Sequence, residues 1–377
     1  MNLATAGAFS RVLSWPAQGG AITTVPSATA TISRQPVAGT GWPVIVPPAL
    51  ALVYPWMVVL LSRSVSAVRH PGAVAPSLAW VGVTAAVLLI CAVPAIGVAV
   101  AYQLGRNDAP TRRQLRARWI AYLAVASPSL LLAFGNYSRL LHARAAVTPA
   151  WDLLWLGCLA AVLIGGGEPA APPALSSARR IQVRTFHLST AIALLVLFLA
   201  PHITNHVTGI WSGQAHISLM GVLRTVYRAR VIEPLLMLLL VVQAASGLAL
   251  VSSRLRGCTR NIFQALQTAS GVYLVIFLVS HVAAAFSARA AGVDPNWVWL
   301  VGRSGTLLSS SVLTVVPHYF FGPLALFVHV GCGARNLRLA REASLTSANR
   351  LAVALMATGA MASLVILAAL SGVHLAQ

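Results

Sequence analysis

The chain has few charged residues, and none of them is lysine. Charged residues make up only 8% of its 377 positions, and all 26 basic residues are arginine. A soluble domain needs roughly 25% charged residues to cover its surface. Because 58% of the residues are hydrophobic and the mean hydropathy is +0.80, a water-soluble fold is excluded. The chain is therefore predicted to lie in a lipid bilayer.

Cysteine is also scarce, and its distribution argues against two kinds of cofactor site. The chain has four cysteines, and none belongs to a CxxC or CxxCH motif. Covalent haem attachment and iron–sulfur clusters both use closely spaced cysteines. The GxGxxG signature of a dinucleotide-binding fold is missing as well, so flavin or nicotinamide chemistry is not indicated for this chain.

Acidic residues number only 6, which leaves a net charge of +20. A basic chain can bind nucleic acid, but these arginines lie in short loops between apolar runs, which favours contact with anionic lipid instead. The two sets of alternate loops hold 17 and 9 arginines. Because arginine-rich loops stay in the cytoplasm, we expect a cytoplasmic N-terminus and an extracytoplasmic C-terminus, in a bacterial inner membrane.

Nine apolar segments are predicted to be membrane-spanning helices. A bilayer core asks for ~20 apolar residues, and within it a helix satisfies its own backbone hydrogen bonds. The predicted fold class is therefore an all-α, polytopic membrane bundle, preceded by a flexible tail over residues 1–43. The segments run from Val44 to Leu61, Leu78 to Ala101, Trp119 to Phe134, Trp151 to Ile164, Leu188 to Val207, Pro234 to Val251, Thr268 to Phe286, Val312 to Val330 and Leu351 to Leu370.

A stretch rich in glycine and proline, GGGEPAAPPALSS at residues 165–177, separates these segments into two groups. Such residues break helices. The stretch predicts a four-helix membrane region over residues 44–167, whose role the sequence does not indicate. A linker over residues 168–184 follows, and then a five-helix membrane domain over residues 185–377.

Histidines inside the apolar segments are the candidate functional residues, since polar groups within lipid are costly and generally have a partner. His202 lies 18 residues after Arg184, and His281 lies 21 residues after Arg260. A helix rises about 1.5 Å per residue, which places both side chains roughly 27 to 31 Å from the cytoplasmic face, at one outer level. His329 lies roughly 9 Å from that face, at an inner level.

Two histidines on two helices at one level can ligate a haem iron from both sides, which favours electron transfer over oxygen binding. The alternative is that they hydrogen bond across helices or line a polar cavity. His318 is interpreted as a helix-end residue, with a quinone pocket as the alternative. The histidines in loops and in the C-terminal tail are not predicted to be ligands; they are His70, His142, His216 and His374.

The segments that carry these histidines resemble the five-helix cytochrome b membrane anchor of succinate:quinone oxidoreductases and fumarate reductases. RTFHLSTAIALLVLFLAPHITNH is similar to the family's first helix, NIFQALQTASGVYLVIFLVSHVAAAF to the third and LFVHVGCGARNLRLA to the fourth. The resemblance covers roughly residues 180–370, and the first four predicted helices have no counterpart. It implies haem b between paired histidines, with His202 and His281 as ligands of the outer haem.

One departure from the family concerns its second helix, which supplies a haem histidine to pair with the fourth. YRARVIEPLLMLLLVVQAASGLAL resembles that helix, but Gln243 stands at the histidine position. His329 is therefore expected to face Gln243, with His187 as a substitute ligand near the same level. One haem per chain is expected, at His202 and His281, with a second haem at His329 as the alternative.

Charged residues near the outer level have two interpretations. Arg224 and Arg228 are candidates to bind haem propionates, because arginine suits carboxylates. Topology and lipid contact explain them equally well. Glu233 opens a helix, where the helix dipole favours an acidic residue in any case.

The resemblance implies an electron carrier between membrane quinone and separate flavoprotein and iron–sulfur subunits. The chain is then a non-catalytic or quinone-reactive subunit of an oxidoreductase complex. The alternative is a haem-free transporter or scaffold protein built on the same helical fold. That alternative needs polar groups such as Gln243 at mid-membrane.

Overall fold

The computed structural model describes residues 41–70, 75–164, 166–169, 175–302, 305–309 and 313–376. Within these ranges every regular element is helical and no β-strand forms, which confirms the all-α prediction. Apart from its last three residues, the predicted tail at residues 1–43 lies outside the described residues. So do residues 165 and 170–174 of the stretch rich in glycine and proline.

The α-helices of the described residues are numbered here in chain order, with α7 including a π-helical turn at Leu195–Leu199. They are α1 (Val46–Leu52), α2 (Tyr54–Arg69), α3 (Pro76–Gly105), α4 (Arg112–Val125), α5 (Ser127–Leu140), α6 (Val147–Leu163), α7 (Ser177–Thr208), α8 (Gly213–Tyr227), α9 (Ile232–Leu255), α10 (Ile262–Ala290), α11 (Trp297–Val301), α12 (Val315–Ala340) and α13 (Leu345–Leu370). The end of the bundle at which α7 begins is called the lower end, and the opposite end the upper end.

Seven helices of the described part are long and apolar enough to cross a membrane: α3, α6 with the turn before it, α7, α9, α10, α12 and α13. Two further pairs pass the same test only when each pair is counted as one span. These are α1 with α2, bent by 45°, and α4 with α5, bent by 72°. The described chain thus has seven to nine candidate membrane-spanning helices, as an integral membrane protein requires, and the predicted nine is the upper value.

Proline explains both bends. Pro55 and Pro128 are each the second residue of the helix that follows the break. Proline lacks an N–H and its ring clashes with the preceding helical turn, so a continuous helix is broken there. At the first break, the Trp151 indole donates hydrogen bonds to Ala51 O (3.0 Å) and Leu52 O (3.3 Å), carbonyls at the end of α1. The first and third predicted segments are therefore each two helices.

Two short helices at the upper end, α8 and α11, stand where the sequence analysis placed loops. Each begins at a capping side chain. Ser212 accepts a hydrogen bond from Ala215 N at 3.0 Å, and Asn296 accepts one from Trp299 N at 3.1 Å. Such caps satisfy backbone N–H groups that the first helical turn leaves without a partner. Both helices cover the upper end of the back half.

The front helices α1–α6 pack on the back helices, chiefly through α4 and α5 against α10 and through α5 against α12. At the lower end of this interface, Arg118 of α4 is fully buried and donates to Leu255 O, Gly257 O and Thr259 Oγ1. In the back half, α7 packs mainly on α9, while α10 packs on α12. The candidate site lies between these two helix pairs.

Candidate functional site

A cavity of about 800 Å³ lies among α7, α9, α10 and α12. Its wall is mostly apolar, with a few polar side chains, and its volume is within the ~300–1,000 Å³ of small-molecule and cofactor sites. Four of the histidines that sequence analysis singled out line this cavity: His187, His202, His281 and His329. The cavity is therefore the candidate functional site.

His202 of α7 and His281 of α10 face each other in the upper part of the cavity. Their ring centres are 6.0 Å apart, and their planes are inclined by 79°. Each ring also stacks on a phenylalanine one helical turn earlier, with centres 5.1 Å apart for Phe198 and His202 and 5.2 Å apart for Phe277 and His281. The stacking limits rotation of both imidazoles. The equal level of these two histidines, inferred from helix rise, matches their position.

His187 of α7 and His329 of α12 form a second pair in the lower part of the cavity. Their ring centres are 6.2 Å apart, with planes inclined by 78°. The sequence predicts Gln243 opposite His329, with His187 as a substitute ligand. In the structure the ring that faces His329 is that of His187, so α7 contributes one histidine to each pair.

The π-helical turn of α7 lies between its two cavity histidines. It covers Leu195–Leu199 and ends two residues before Pro201, which is followed by His202. A proline inside a helix clashes with the carbonyl four residues earlier, and the wider π turn relieves this clash. Such turns also change the rotational register along a helix. Apolar periodicity alone does not reveal this turn. The sequence therefore does not predict that the ring of His187 faces that of His329.

Hydrogen bonds assign the proton of each ring in the lower pair. His329 Nδ1 lies 3.1 Å from the carbonyl oxygen of Gln267, which can only accept, so Nδ1 carries the proton. His187 Nδ1 lies 2.9 Å from Ser246 Oγ, whose own proton is donated to Gln243 O at 3.1 Å. His187 Nδ1 therefore donates as well. Both rings keep the lone pair on Nε2, the arrangement typical of metal-ligating histidines.

Gln243 of α9 bonds to two side chains of α7 rather than facing His329 alone. Its amide nitrogen lies 3.1 Å from His187 Nε2 and donates to the lone pair there. Its amide oxygen accepts from Thr190 Oγ1 at 2.6 Å. Gln243 therefore forms a hydrogen bond to Nε2 of His187, the nitrogen that would bind a metal.

The donor set limits what the cavity can hold. Among the described residues, no group of three or more His, Cys, Asp or Glu side chains is placed to hold a metal ion. The lower level offers His187 and His329, and the upper level offers the facing pair His202 and His281, with His206 on the cavity wall one turn after His202. Imidazoles on opposite sides of one metal, with bonds of about 2 Å, bring their ring centres about 6 Å apart, close to the 6.0 and 6.2 Å observed. A planar metal complex that brings its other ligands with it matches this arrangement.

The two arginines proposed at the outer level bind a carboxylate of the protein itself. Arg224 Nη1 donates to both carboxylate oxygens of Asp294 (2.8 and 3.0 Å), and Arg228 Nη2 lies 3.5 Å from the same group. Burial alone raises the pKa of Asp294, but the bond from Arg224 and the two positive charges lower it below its usual value. Glu233 pairs with Arg289, which joins α9 to α10. Neither Arg224 nor Arg228 lines the cavity.

Other arginines line the cavity instead, all near its lower end. These are Arg180 and Arg184 in the first turns of α7 and Arg254 near the end of α9. Arg254 Nη1 donates to Gln267 Oε1 at 3.0 Å. Arg180 and Arg184 lie seven and three residues before His187, so the sequence carries a signal for them, whereas Arg254 has no cavity histidine near it in the chain and reaches the cavity only through the fold.

A row of rings continues from the upper pair to the upper end of the bundle. The centres of His202 and His206 are 4.8 Å apart, those of His206 and His216 are 5.2 Å apart, and those of His216 and Trp297 are 5.0 Å apart. His216, expected in a loop, is only 3% exposed on α8. Burial, assisted by the positive charge of Arg224, lowers the pKa of His216 to about 4. Its ring is therefore neutral at pH 7.

The remaining loop histidines do not line the cavity. His70 and His142 are exposed, and neither is a cavity residue. His374, in the C-terminal tail, donates from Nδ1 to Gly209 O at 3.0 Å.

His318 of α12 is buried between the front and back halves rather than at a cavity wall. Ser129 Oγ donates to the Tyr273 hydroxyl at 2.8 Å and accepts from His318 Nδ1 at 3.0 Å. The His318 ring stacks on Phe277 with centres 4.4 Å apart, and Phe277 in turn stacks on His281. The front half therefore contacts the upper histidine pair through a series of stacked rings.

The paired histidines and the cavity between them are the features from which a function can be argued. Known proteins supply no family for the chain: no protein-family model matches it, and no curated protein or solved structure shows significant similarity to it.

Proposed function

We propose that the protein is a membrane-embedded b-type cytochrome that carries electrons to or from quinone, with haem held by His202 and His281. The observation that carries this proposal is the 6.0 Å separation of the two rings across the cavity. His202 and His281 could both bind one haem iron at about this separation. A porphyrin would supply the other four ligands, so two facing imidazoles would be enough protein donors.

The cavity wall supports the same proposal. Mostly apolar side chains surround the two rings, as a porphyrin macrocycle requires, and they keep water away from the centre. Phe198 and Phe277 hold the imidazoles in their orientations by stacking. When bound, haem supplies a one-electron redox centre. With both imidazoles bound to its iron, the haem would have no position for oxygen, which would favour electron transfer.

Arginines of the lower end are suited to the carboxylates that haem carries. Arg180, Arg184 and Arg254 line the cavity, and arginine binds carboxylates with charge-assisted hydrogen bonds. Arg184 lies 18 residues before His202, roughly 27 Å along α7, so these arginines fit carboxylates at the lower level and do not reach a haem held by His202 and His281.

The proposed setting is a bacterial inner membrane with the lower end in the cytoplasm. The bias of 17 to 9 arginines between alternate loops supports this orientation. Quinone is the proposed membrane partner, and flavoprotein and iron–sulfur subunits are the proposed partners at the lower end, as the sequence resemblance implies. The chain is then a quinone-reactive or non-catalytic subunit of an oxidoreductase.

One observation favours a second candidate, a haem-free transporter or scaffold. The front half contains a break of 72° between α4 and α5. Ser127 at this break is fully buried, and its hydroxyl has no hydrogen-bond partner among the described residues. Transporters use broken helices at mid-membrane to bind substrates and ions. This candidate predicts a protein without visible absorbance.

The test is a visible spectrum with pyridine haemochrome analysis of protein purified from haem-replete cells. We expect a Soret band and haem b, and we expect His202→Ala and His281→Ala to lose the haem of the upper pair. His70→Ala, which changes an exposed histidine outside the cavity, is the matched control. A preparation without a Soret band would refute the proposed cytochrome function and favour the haem-free transporter or scaffold.

A further inference from the structure

We propose that His206 and His216 bind one monovalent copper ion through their Nδ1 atoms, at the upper end of the bundle. The site uses neither of the two facing histidine pairs of the cavity, and it does not depend on bound haem. His206 is in the last turn of α7, and His216 is in the first turns of α8. The ion would therefore join these two helices across the loop between them.

Three buried polar atoms at the junction of α7 and α8 have no hydrogen-bond partner among the described residues. They are Nδ1 of His206, Nδ1 of His216 and Oδ1 of Asn205. His216 is only 3% exposed and Asn205 only 4%, so bulk water does not serve these atoms. A buried polar atom without a partner is costly and rare in folded proteins. Three of them at one place indicate a binding site for a ligand.

The imidazoles of His206 and His216 are close enough to share one ion. Their ring centres are 5.2 Å apart, and their planes are inclined by 47°. One ion with bonds of about 2 Å to two imidazoles allows ring centres up to about 6 Å apart. The observed separation lies within that limit, so both rings can bind the same ion without a change in either helix.

Trp297 of α11 covers this site from the upper end. Its ring centre lies 5.0 Å from that of His216, and the residue is only 6% exposed. Two glycines let the indole lie directly on the backbone. A Cβ atom on Gly209 would be 2.5 Å from Trp297 Cζ3, and one on Gly213 would be 2.6 Å from Trp297 Cδ1. A side chain at either position would push the indole away and open the site to water.

The amide of Asn205 can place the proton of His216 as a metal requires. Asn205 Nδ2 lies 3.2 Å from His216 Nε2, and because an amide nitrogen only donates, the proton of His216 is here on Nδ1. Half a turn of the amide brings its oxygen next to Nε2 instead. Nε2 then carries the proton and Nδ1 the lone pair. Metal-binding histidines commonly donate their other N–H to such a partner.

The charges around the two rings favour an ion with a single positive charge. The end of α7 attracts a cation, whereas the start of α8 repels one, and the positive charge of Arg224 also acts on His216. Among the described residues, no third His, Cys, Asp or Glu completes a metal-binding group here. A divalent ion is much more costly to bury without carboxylates, and zinc generally takes four ligands. Imidazole suits copper, so Cu⁺ fits this site best.

The experiment measures Cu⁺ binding by the full-length protein, purified in detergent with a tag that contains no histidine. Cu⁺ is supplied without oxygen as its bicinchoninate complex, whose absorbance falls when the protein takes up the ion. The copper-to-protein ratio should fall by about one in His206→Ala, in His216→Ala and in the double variant, because both residues bind the same ion. His374→Ala is the matched control. His374 also contacts Trp297, but its Nδ1 is bonded to Gly209 O, so the ratio should not change.

An unchanged ratio in His216→Ala, or the loss of two ions in the double variant, would overturn the shared site. Copper held by other histidines does not affect this comparison, since it remains in all these variants. Tighter binding of Zn²⁺ that requires His206 and His216 would overturn the assignment to monovalent copper. A protein without haem that still loses one Cu⁺ in these variants would refute the proposed function and support this site.

A further variant decides the matter if the histidine variants do not fold. Asn205→Asp keeps both ligands and gives Nε2–H of His216 a charged acceptor. We expect it to tighten Cu⁺ binding about tenfold. An unchanged affinity in Asn205→Asp would contradict the proposed ligation by His216.

Discussion

The guanidinium of Arg118 donates a hydrogen bond to the carbonyl oxygen of Leu255, with 2.5 Å between Nη1 and O. Arg118 is fully buried in α4, and Leu255 is the last residue of α9. The last carbonyls of a helix have no partner within it, so this contact satisfies one of them. It also ties the front half of the bundle to the helix that carries Gln243.

Replacing this arginine should destabilise the protein strongly. Arg118→Ala would leave Leu255 O and the Thr259 hydroxyl without their donor in a buried place, at about 1–3 kcal/mol for each group. We therefore expect a loss of about 2–5 kcal/mol, measured by unfolding in detergent. Arg350→Ala, at an exposed position of α13, is the control and should change stability by less than about 0.5 kcal/mol. Equal free energies of unfolding for the two variants would contradict a stabilising role of the buried contact.

Arginine variants should show whether Arg254 or Arg224 binds the carboxylates of haem. Arg254→Ala should lower the affinity for a haem at the lower level of the cavity about tenfold, the equivalent of one hydrogen bond to a charged group. Arg224→Ala should leave haem affinity unchanged, because Arg224 binds Asp294 and does not line the cavity. Haem titration of the two variants measures the difference. The opposite order would restore the role first considered for Arg224.

The rise per residue of a helix predicts the depth of each cavity histidine, but it does not predict that His187 faces His329. Counting residues from Arg184 and Arg260 placed His202 and His281 at one depth, and their rings lie 6.0 Å apart. Depth works because it depends only on the rise per residue. The facing of His187 and His329 also depends on rotation about each helix, and the π turn of α7 changes that rotation.

The sequence does not predict the broken helices or the arginine contacts, and the reason is a different one. Hydropathy detects a long apolar run, and it does not detect a 72° bend inside one. Proline at residue 128 was a signal for that bend, although proline kinks and breaks look alike in a sequence. The partner of Arg224 is Asp294, 70 residues away in the chain. Such a contact depends on tertiary packing, which composition and periodicity do not encode.

Protonation of His216 should make the protein less stable in acid. Burial lowers the pKa of His216 to about 4, whereas in the unfolded chain its pKa is about 6.5. The unfolded chain therefore binds the proton first, and the stability that neutral His216 contributes is complete above pH 6.5 and lost between pH 6.5 and 4. The loss is at most about 3 kcal/mol.

A variant without a titratable ring isolates this effect. His216→Phe should unfold with a smaller decrease in stability between pH 7.5 and pH 5 than the unchanged protein shows. The readout is the difference between the two pH slopes, which a general loss of packing does not alter. Parallel slopes would mean that His216 titrates normally in the folded protein.

Reporter fusions test the orientation that arginine distribution predicts. With 17 arginines on one side and 9 on the other, the C-terminus should be extracytoplasmic. A periplasm-active phosphatase fused after the last residue should be active, and a reporter active only in the cytoplasm should be silent. Fusion of both reporters into the loop between α4 and α3 provides the control, since that loop should give the reverse pattern. Activity of the cytoplasmic reporter at the C-terminus would show that the bundle has the opposite orientation in the membrane.

The last prediction concerns the link from the front half to the upper histidine pair. Ser129→Ala would leave the Tyr273 hydroxyl and His318 Nδ1 buried without their partner, at a cost of about 1–3 kcal/mol. Because His318 stacks on Phe277 and Phe277 on His281, the variant should also shift the midpoint potential of the upper haem without changing haem content. Ser129→Thr keeps the hydroxyl and should restore both properties.

Ser138→Ala is the matched control, since Ser138 is also a buried serine of α5 but bonds only to Gly135 O in its own helix. A redox titration followed in the Soret band measures the potential, and unfolding in detergent measures the stability. A purely structural role for Ser129 would lower stability and leave the potential unchanged. That outcome would show that the contacts of Ser129 support the bundle without influencing His281.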